Sequence, residues 1–230
     1  PGICKKKPVL KTLPVIEKYG VIFAWYHPED VEPMWDLPTV PEFEDPESHV
    51  DVHYHSWDIG TCIQEIAENS VDTPHLKFLH GAPIIPPVEF EANGPISKYS
   101  IMDGYIWGIG HGPGISETRH NKGDVAMLMF ALSTPVHEEL TRTRMAFTWK
   151  KYPEGSEEAK TAEHLYHHSI GEAEGEDSAG FESVDLIVWD NKKYRPNPLL
   201  CDGDGPILKF REYFKQFYVE KNEAQKAAAE

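Results

Sequence analysis

From residue 88 to residue 150 the chain consists of short runs of alternating apolar and polar residues, with turn-forming residues between them. The segment from Thr141 to Trp149 alternates most regularly, which is typical of a strand with one buried face and one solvated face. Strands joined by such short connections pair in an antiparallel manner. The sequence therefore predicts a meandering antiparallel sheet, with strands at about 88–92, 97–102, 104–109, 125–133 and 140–150.

Helical spacing occurs in the sequence both before and after the strands of the predicted sheet. Apolar residues recur at helical intervals between Thr61 and Leu79, directly after a predicted strand at 50–59. Asp204 precedes Gly-Pro and is the expected N-cap of a closing helix that reaches about Glu220. The other predicted elements are a hairpin within 9–26 around Tyr19-Gly20, a helix within 180–192, and a frayed tail at about 221–230.

These elements predict a single domain over residues 1–230. The expected fold class is α+β, an antiparallel β-sheet with helices packed on it in a helix-grip arrangement. The length supports one domain, because a single hydrophobic core can grow to about 250 residues before chains usually divide. No internal repeat is present in the sequence, so we look for one active site.

The composition excludes several classes of partner. The formal net charge of -16 opposes binding to nucleic acid or to an anionic membrane surface, because both are polyanions. Hydrophobic residues make up 40% of the chain, which is enough for a core and an apolar pocket. No apolar run approaches the roughly 18 residues of a membrane span, and no secretory leader is evident. Cys4, Cys62 and Cys201 form no C-x-x-C pair, so a reducing cytoplasm is the expected location.

The segment from Glu68 to His80 carries the most informative side chains. It reads Glu-Asn-Ser-Val-Asp-Thr-Pro-His-Leu-Lys-Phe-Leu-His. Imidazole is a good ligand for iron(II), and two imidazoles with one carboxylate leave coordination positions open for oxygen and substrate. Five residues advance a regular helix by about 500°, so His75 and His80 converge only if the helix loosens or ends between them. Asp72, three residues before His75, is placed to accept the free ring N–H.

The pattern Glu-Asn-x-x-Asp-x-x-His-x-x-x-x-His resembles the iron-binding signature of Rieske-type non-haem iron oxygenases, and every fixed position is matched. The resemblance implies a mononuclear iron(II) held by His75, His80 and a later Asp, for which Asp185, a few residues before a Trp, fits. It also implies that Asn69 faces the iron without a strong bond. Asp72 would bridge to a cluster ligand of a neighbouring subunit in a head-to-tail homotrimer.

The resemblance extends to both ends of the chain. Tyr19–Glu29 looks like the segment that leaves the family's cluster domain, and Asn197–Pro206 with Gln216–Tyr218 is similar to bacterial 3-ketosteroid 9α-hydroxylase oxygenases. It implies an apolar steroid or sterol as substrate, molecular oxygen as co-substrate, and hydroxylation of one C–H bond. Cis-dihydroxylation of an aromatic ring by a dioxygenase of the same type stays open.

One part of the Rieske pattern does not occur in this sequence. A Rieske [2Fe–2S] centre needs two Cys and two His ligands, usually as C-x-H and C-x-x-H, and neither motif is present. The resemblance therefore implies an isolated catalytic domain, either a fragment or a chain whose cluster domain is supplied separately. A ferredoxin-type reductase is the expected electron donor.

Other polar clusters have simpler interpretations. His164, His167 and His168 share one helical face and have the spacing of a zinc or nickel site, but a solvated polar stretch is favoured. His53 and His55 alternate on a strand, as a polar sheet face or a pocket lining would. The glycine-rich stretch from 108 to 114 is interpreted as a flexible loop, because no helix clearly begins after it.

Alternatives stay open for the third ligand and for the function. Asp177, Glu182 or Asp190 would be the ligand if Asp185 only capped its helix. A helix gripped by an antiparallel sheet also makes a metal-free cavity for sterols or lipids. A zinc hydrolase using the same ligands is a third interpretation.

Overall fold

The computed structural model of the protein describes residues 11–172 and 184–219. The chain divides into two compact units, residues 1–38 and residues 39–230. The tail predicted at about 221–230 lies outside the described residues. Within the described ranges, no helix combines the length and the hydrophobicity that crossing a membrane requires.

The first unit contains the predicted hairpin. Strand β1 (Val15–Lys18) pairs with β2 (Val21–Ala24) in an antiparallel register. Tyr19 and Gly20 form the turn with φ of 56° and 71°. This left-handed backbone is what a two-residue type I′ loop needs, so the Tyr-Gly pair determines where the chain reverses.

The second unit is built on a seven-stranded sheet in which all neighbouring strands are antiparallel. Strands β4 to β9 follow one another as a meander, and β3 pairs with the outer edge of β9. The strands are β3 (His53–Ile59), β4 (Val88–Asn93), β5 (Ile96–Ile101), β6 (Ile106–His111), β7 (Ile115–Lys122), β8 (Val125–His137) and β9 (Leu140–Trp149). This sheet confirms the predicted α+β fold class.

Strand β7 is missing from the strands predicted by sequence pattern. Its sequence, Ile-Ser-Glu-Thr-Arg-His-Asn-Lys, is too polar to indicate a buried strand. Glu117, Thr118 and Arg119 are nevertheless all buried. Each has a hydrogen-bonding side chain as partner, which offsets the cost of burial. Tertiary partners rather than a hydrophobic pattern therefore stabilise this strand.

The glycine-rich stretch is mostly strand, so its interpretation as a flexible loop is wrong. Strand β6 passes through Gly108 and Gly110. A Cβ atom on Gly108 would lie 2.5 Å from the Tyr99 hydroxyl, and one on Gly110 would lie 2.5 Å from Ser97 Oγ. Glycine is needed here because the side chains of β5 occupy the space beside β6.

Short helices connect the strands and cover the sheet. They are α1 (Pro41–Glu44), α2 (Ile63–Ala67), α3 (Pro74–Phe78), α4 (Glu157–Ser169), α5 (Leu186–Asn191) and α6 (Ile207–Phe214), with 3₁₀ turns at Glu68–Ser70 and Lys215–Phe217. The helix predicted from Thr61 to Leu79 is thus two short helices. The closing helix is shorter than predicted, and Asp204 is not its N-cap: the Asp204 carboxylate accepts the Cys201 N–H at 2.6 Å.

Helices α4 and α6 pack on the same face of the sheet, toward opposite edges. Leu165 of α4 packs with Met145 and Phe147 of β9. Phe210 of α6 packs with Phe90 of β4. Each fully buried side chain of this size contributes about 1.5–3 kcal/mol to folding. The sheet face between the two helices borders a cavity.

The opposite face of the sheet is covered by the segment that contains α1. Arg119 of β7 donates to both carboxylate oxygens of Glu42 at 2.6 and 2.8 Å, and to Glu117 at 2.9 Å. His111 lies 2.6 Å from the other oxygen of Glu117. Burial would raise the pKa of Glu117, but the bonds from His111 and Arg119 outweigh it and hold that pKa below its usual value. The charges are desolvated, so each depends on its partners.

Replacing Glu42 with Gln should lower the free energy of unfolding by about 2 kcal/mol, because Arg119 loses a charged partner on a buried face. Urea unfolding followed by circular dichroism measures the change. Glu139→Gln is the matched control, since Glu139 and Lys193 form an ion pair with both side chains 66% exposed, and its unfolding midpoint should not move. An unchanged midpoint for Glu42→Gln would mean that α1 is held by apolar packing alone.

Candidate metal centre

The two motif histidines lie in the first turn of α3 and just beyond its end. Pro74 begins the helix, where its missing N–H costs nothing, and the helix ends at Phe78. The His80 N–H then bonds to the His75 carbonyl at 3.3 Å, and Gly81 follows with a φ of 73°. The helix therefore ends between the two histidines, as their spacing requires. Their ring centroids are 5.4 Å apart and the ring planes meet at 77°.

The orientation of the His75 ring is determined by the backbone of the preceding turn. His75 Nδ1 donates a hydrogen bond to the carbonyl oxygen of Asp72. A carbonyl only accepts, so Nδ1 carries the proton and Nε2 keeps a free lone pair. The Asp72 carboxylate, predicted to be the acceptor, acts on the ring only through its charge. Burial lowers the pKa of His75 despite the charges of Asp185 and Asp72, so the ring is neutral at pH 7, as metal binding requires.

Asp185 immediately precedes α5 and is buried. Its carboxylate makes no capping bond to the helix, and its Oδ2 lies 3.1 Å from His80 Nε2. Of the alternatives for the third ligand, Asp190 accepts a backbone N–H at 2.7 Å elsewhere. Asp177 and Glu182 lie outside the described residues.

The structure brings His75, His80 and Asp185 together. One possible ligand atom from each lies within 4.8 Å of the other two. Donors that lie about 2.1 Å from one ion at right angles are about 3 Å apart, which agrees with the 3.1 Å between His80 and Asp185. Two imidazole nitrogens and one carboxylate oxygen form the donor set of open iron(II) sites. These residues therefore fit a divalent metal ion, and no second such group occurs in residues 11–172 and 184–219.

The triad borders a cavity of about 460 Å³ between the sheet and the helices α4 and α6. Its wall is mainly apolar, and its size is typical of a small-molecule site. Asn69, in the 3₁₀ turn before α3, also lines the cavity. Asp72 is half-buried behind His75. Of the two residues predicted to act near the iron, Asn69 thus lines the cavity, and Asp72 holds the His75 ring through its carbonyl.

Two more histidines line the cavity, His120 of β7 and His168 of α4. His168 shares a helical face with Leu165 and Ser169, which are buried. The spacing of these three residues is the signal that would have identified His168. His120 lies in β7, which the sequence pattern did not predict because the strand is polar. The interpretation of the α4 histidines as a solvated stretch is wrong for His168, while His167 is exposed.

His53 and His55 do not line the cavity. His55 Nε2 lies 2.8 Å from the Tyr166 hydroxyl, and the His53 ring stacks on Trp149 with centroids 5.4 Å apart. These contacts agree with a polar sheet face on which α4 packs.

A buried network of charges links the segments that carry the triad. Arg211 of α6 donates to both oxygens of Glu68 at 2.7 and 2.9 Å and lies 3.4 Å from Glu65. Lys192, which follows α5, lies 2.8 Å from the other oxygen of Glu65. The two carboxylates are 1% and 5% exposed, so they require these cations. Because Glu68 leads toward α3 and Lys192 follows the Asp185 helix, the network fixes the histidine segment relative to the aspartate segment.

The sequence profile of one protein family, the 3-Ketosteroid 9alpha-hydroxylase C-terminal domain, matches residues 24–218 and so includes the whole triad. The chain belongs to this family. Membership confirms the resemblance to Rieske-type oxygenases, and to 3-ketosteroid 9α-hydroxylase among them, that the motif and the chain ends predict.

Relatives of this 3-ketosteroid 9α-hydroxylase C-terminal domain carry two kinds of name. Cholesterol 7-desaturase of Caenorhabditis elegans is 28% identical over 261 residues, which cover 96% of this chain and 57% of that protein. A 3-ketosteroid-9-alpha-monooxygenase oxygenase component of Rhodococcus rhodochrous is 26% identical over 253 residues, which cover 95% of this chain and 62% of that protein. The chain thus spans a little over half the length of these relatives.

Solved structures share the fold of the 3-ketosteroid 9α-hydroxylase C-terminal domain described above. Pseudomonas putida CBB5 NdmB superposes with a TM-score of 0.64 and 14% identity, over 94% of this chain and 61% of that chain. Dicamba monooxygenase bound to dicamba superposes with a TM-score of 0.59 and 12% identity, over 94% of this chain and 70% of that chain. These likenesses confirm the architecture of helices on an antiparallel sheet.

In this 3-ketosteroid 9α-hydroxylase C-terminal domain, Arg211→Met should weaken iron(II) binding about tenfold, because Glu68 loses its forked partner and α3 shifts relative to α5. Anaerobic titration against a competing chelator measures the affinity. The affinity of Arg211→Lys should lie between those of wild type and Arg211→Met, since an ammonium keeps the charge but cannot make the forked pair of hydrogen bonds. Lys215→Met, at a side chain 69% exposed just beyond α6, should leave the affinity unchanged. Equal affinity in wild type and Arg211→Met would contradict a positioning role for the network.

Proposed function

We propose that this domain binds one iron(II) ion through His75, His80 and Asp185 and uses molecular oxygen to oxidise an apolar, steroid-like molecule. The observation that carries the proposal is the position of this triad at the wall of an apolar cavity. Such a donor set occupies one side of an ion and leaves the other side open. Iron bound there would supply the activation of molecular oxygen, which side chains alone do not provide.

The surrounding side chains prepare the site and bind the substrate. The Asp72 carbonyl keeps His75 in the tautomer that presents Nε2. The apolar wall, including Met129 and Met145, binds a hydrocarbon by burying its surface and keeps water away from the reacting carbon. Asn69 presents an amide to the cavity beside the motif histidines.

The steroid class of substrate is inferred from the cavity and from the relatives. A cavity of about 460 Å³ with a mostly apolar wall suits a single hydrocarbon skeleton. The names of the relatives specify cholesterol in one case and a 3-ketosteroid in another. A rigid fused-ring skeleton loses little conformational freedom on binding, so apolar contacts alone can hold it.

We infer that electrons reach the site from a Rieske [2Fe–2S] cluster served by a ferredoxin-type reductase. The cluster ligands would come from residues outside this sequence, which contains neither C-x-H nor C-x-x-H. Asp72 is suited to link that cluster to His75, because its carbonyl holds the His75 ring while the residue is only half-buried. In the proposed head-to-tail homotrimer, the Asp72 carboxylate would meet a cluster ligand of the next subunit.

Metal content tests the triad directly. After anaerobic reconstitution with ferrous iron, we expect about one iron per wild-type chain by elemental analysis. His75→Ala, His80→Ala and Asp185→Ala should each lose it, because two remaining donors bind iron(II) weakly. His167→Ala, at an exposed histidine, should retain it.

Two results would replace the proposal. Sterol binding by a wild-type chain that never retains iron would indicate a metal-free binding module. Zinc at full occupancy together with ester or amide hydrolysis would indicate a hydrolase.

Sterol desaturation is a second candidate, favoured by the 28% identity to a cholesterol 7-desaturase over nearly the whole chain. Both reactions consume molecular oxygen, two electrons and two protons. Hydroxylation puts one oxygen atom into a C–H bond and releases one water. Desaturation removes hydrogen from two adjacent carbons and releases two waters.

Isotopically labelled oxygen gas separates these reactions. With the Rieske cluster domain and reductase supplied, we expect a steroid product that carries one labelled oxygen atom by mass spectrometry. An unlabelled product that has lost two hydrogen atoms would establish desaturation instead. Two labelled atoms would establish a dioxygenase.

A further inference from the structure

Most hydroxyl groups that line the cavity bond to other protein groups. The hydroxyl oxygens of Tyr99 and Thr118 are 2.5 Å apart, and those of Ser133 and Thr143 are 2.9 Å apart. The Tyr213 hydroxyl donates to a backbone carbonyl at 2.9 Å. The hydrogen-bonding needs of these groups are therefore met without a ligand.

His120 differs from these groups. It pairs across the sheet with Ile106 of β6 and Met127 of β8, and its side chain borders the cavity. Throughout residues 11–172 and 184–219, no side chain or backbone group hydrogen-bonds the His120 ring. His168 and His80 are close enough to act on it electrostatically. An imidazole that has no hydrogen-bond partner in the described part of the chain therefore faces the cavity at the end where the triad lies.

The charge state of this ring determines what it can bind. Burial, with smaller effects from His168 and His80, lowers the pKa of His120 to about 4. The ring is neutral at pH 7 and presents one N–H donor and one nitrogen acceptor. A polar ring among apolar side chains is unfavourable until a ligand group bonds to it. A hydroxyl or a carbonyl oxygen satisfies it, whereas a carboxylate would add an uncompensated charge.

We propose that His120 hydrogen-bonds a hydroxyl or carbonyl oxygen of the otherwise apolar substrate and so determines which end of the molecule lies beside the triad. The inference rests on the proposed function for the class of substrate. The hydrocarbon would then extend along β7 toward Ile115, five residues or about 16 Å away. The oxidised carbon would lie close to the oxygen-bearing carbon rather than at the far end of the skeleton.

A matched pair of ligands tests the proposal. The probes are cholesterol and 5-cholestene, which has the same skeleton without the hydroxyl, both delivered in cyclodextrin to the iron-loaded chain. Wild type should bind cholesterol about tenfold more tightly, because the unbonded His120 penalises the hydrocarbon. His120→Leu should bind both with similar Kd, and His120→Gln, which keeps a donor and an acceptor, should retain much of the preference. His137→Leu, at an exposed histidine, should match wild type.

Equal affinity of wild type for the two probes would overturn the inference. So would a preference for cholesterol that survives in His120→Leu, or the loss of that preference in His137→Leu. Iron content and thermal unfolding, measured on every variant, distinguish this failure from that of the proposed function. Loss of iron in wild type contradicts the triad, whereas full iron with an unchanged preference in His120→Leu contradicts only the role of His120. Binding of neither probe overturns the inference and the steroid class together.

Discussion

Two imidazoles five residues apart can bind one metal ion only where the helix that carries them stops. Pro74 begins α3 and Gly81 follows its end, so the helix is barely more than one turn long. Such a helix has little stability of its own. The position of His75 and His80 therefore depends on the tertiary contacts around α3, above all on the buried carboxylates just before it.

The centre of that support is Glu68, which is both the first residue of the motif and the partner of Arg211. Replacing a buried charge pair by apolar residues is often neutral for stability. The Glu68–Arg211 pair is therefore better explained by geometry than by stability. A forked guanidinium fixes the direction of its carboxylate partner. Here it holds the histidine segment, through Glu68, against the closing helix that carries Arg211.

Local signals in the sequence were sufficient to predict part of the structure. Tyr19-Gly20 specifies a hairpin through backbone geometry alone, and the histidine spacing predicted a broken helix. Long-range contacts had no such signal, since Arg211 lies 143 residues from Glu68 and Arg119 lies 77 residues from Glu42. Strand β7 and its His120 were missed for the same reason. The Asp204 carboxylate accepts the Cys201 N–H in a turn and therefore does not cap the closing helix.

Gly108 limits how the middle of the sheet can change in the descendants of this chain. A Cβ atom at 108 would lie 2.5 Å from the Tyr99 hydroxyl and 2.5 Å from the backbone oxygen of Glu117. A smaller residue at 99 would remove only the first of these clashes, so β6 keeps its glycine as long as β6 and β7 stay paired. Tyr99 lines the cavity, and its hydroxyl is held by Thr118. Relatives can therefore diverge in the molecules they accept by changing the side chains of β5 and β7, while the glycine backbone of β6 stays as it is.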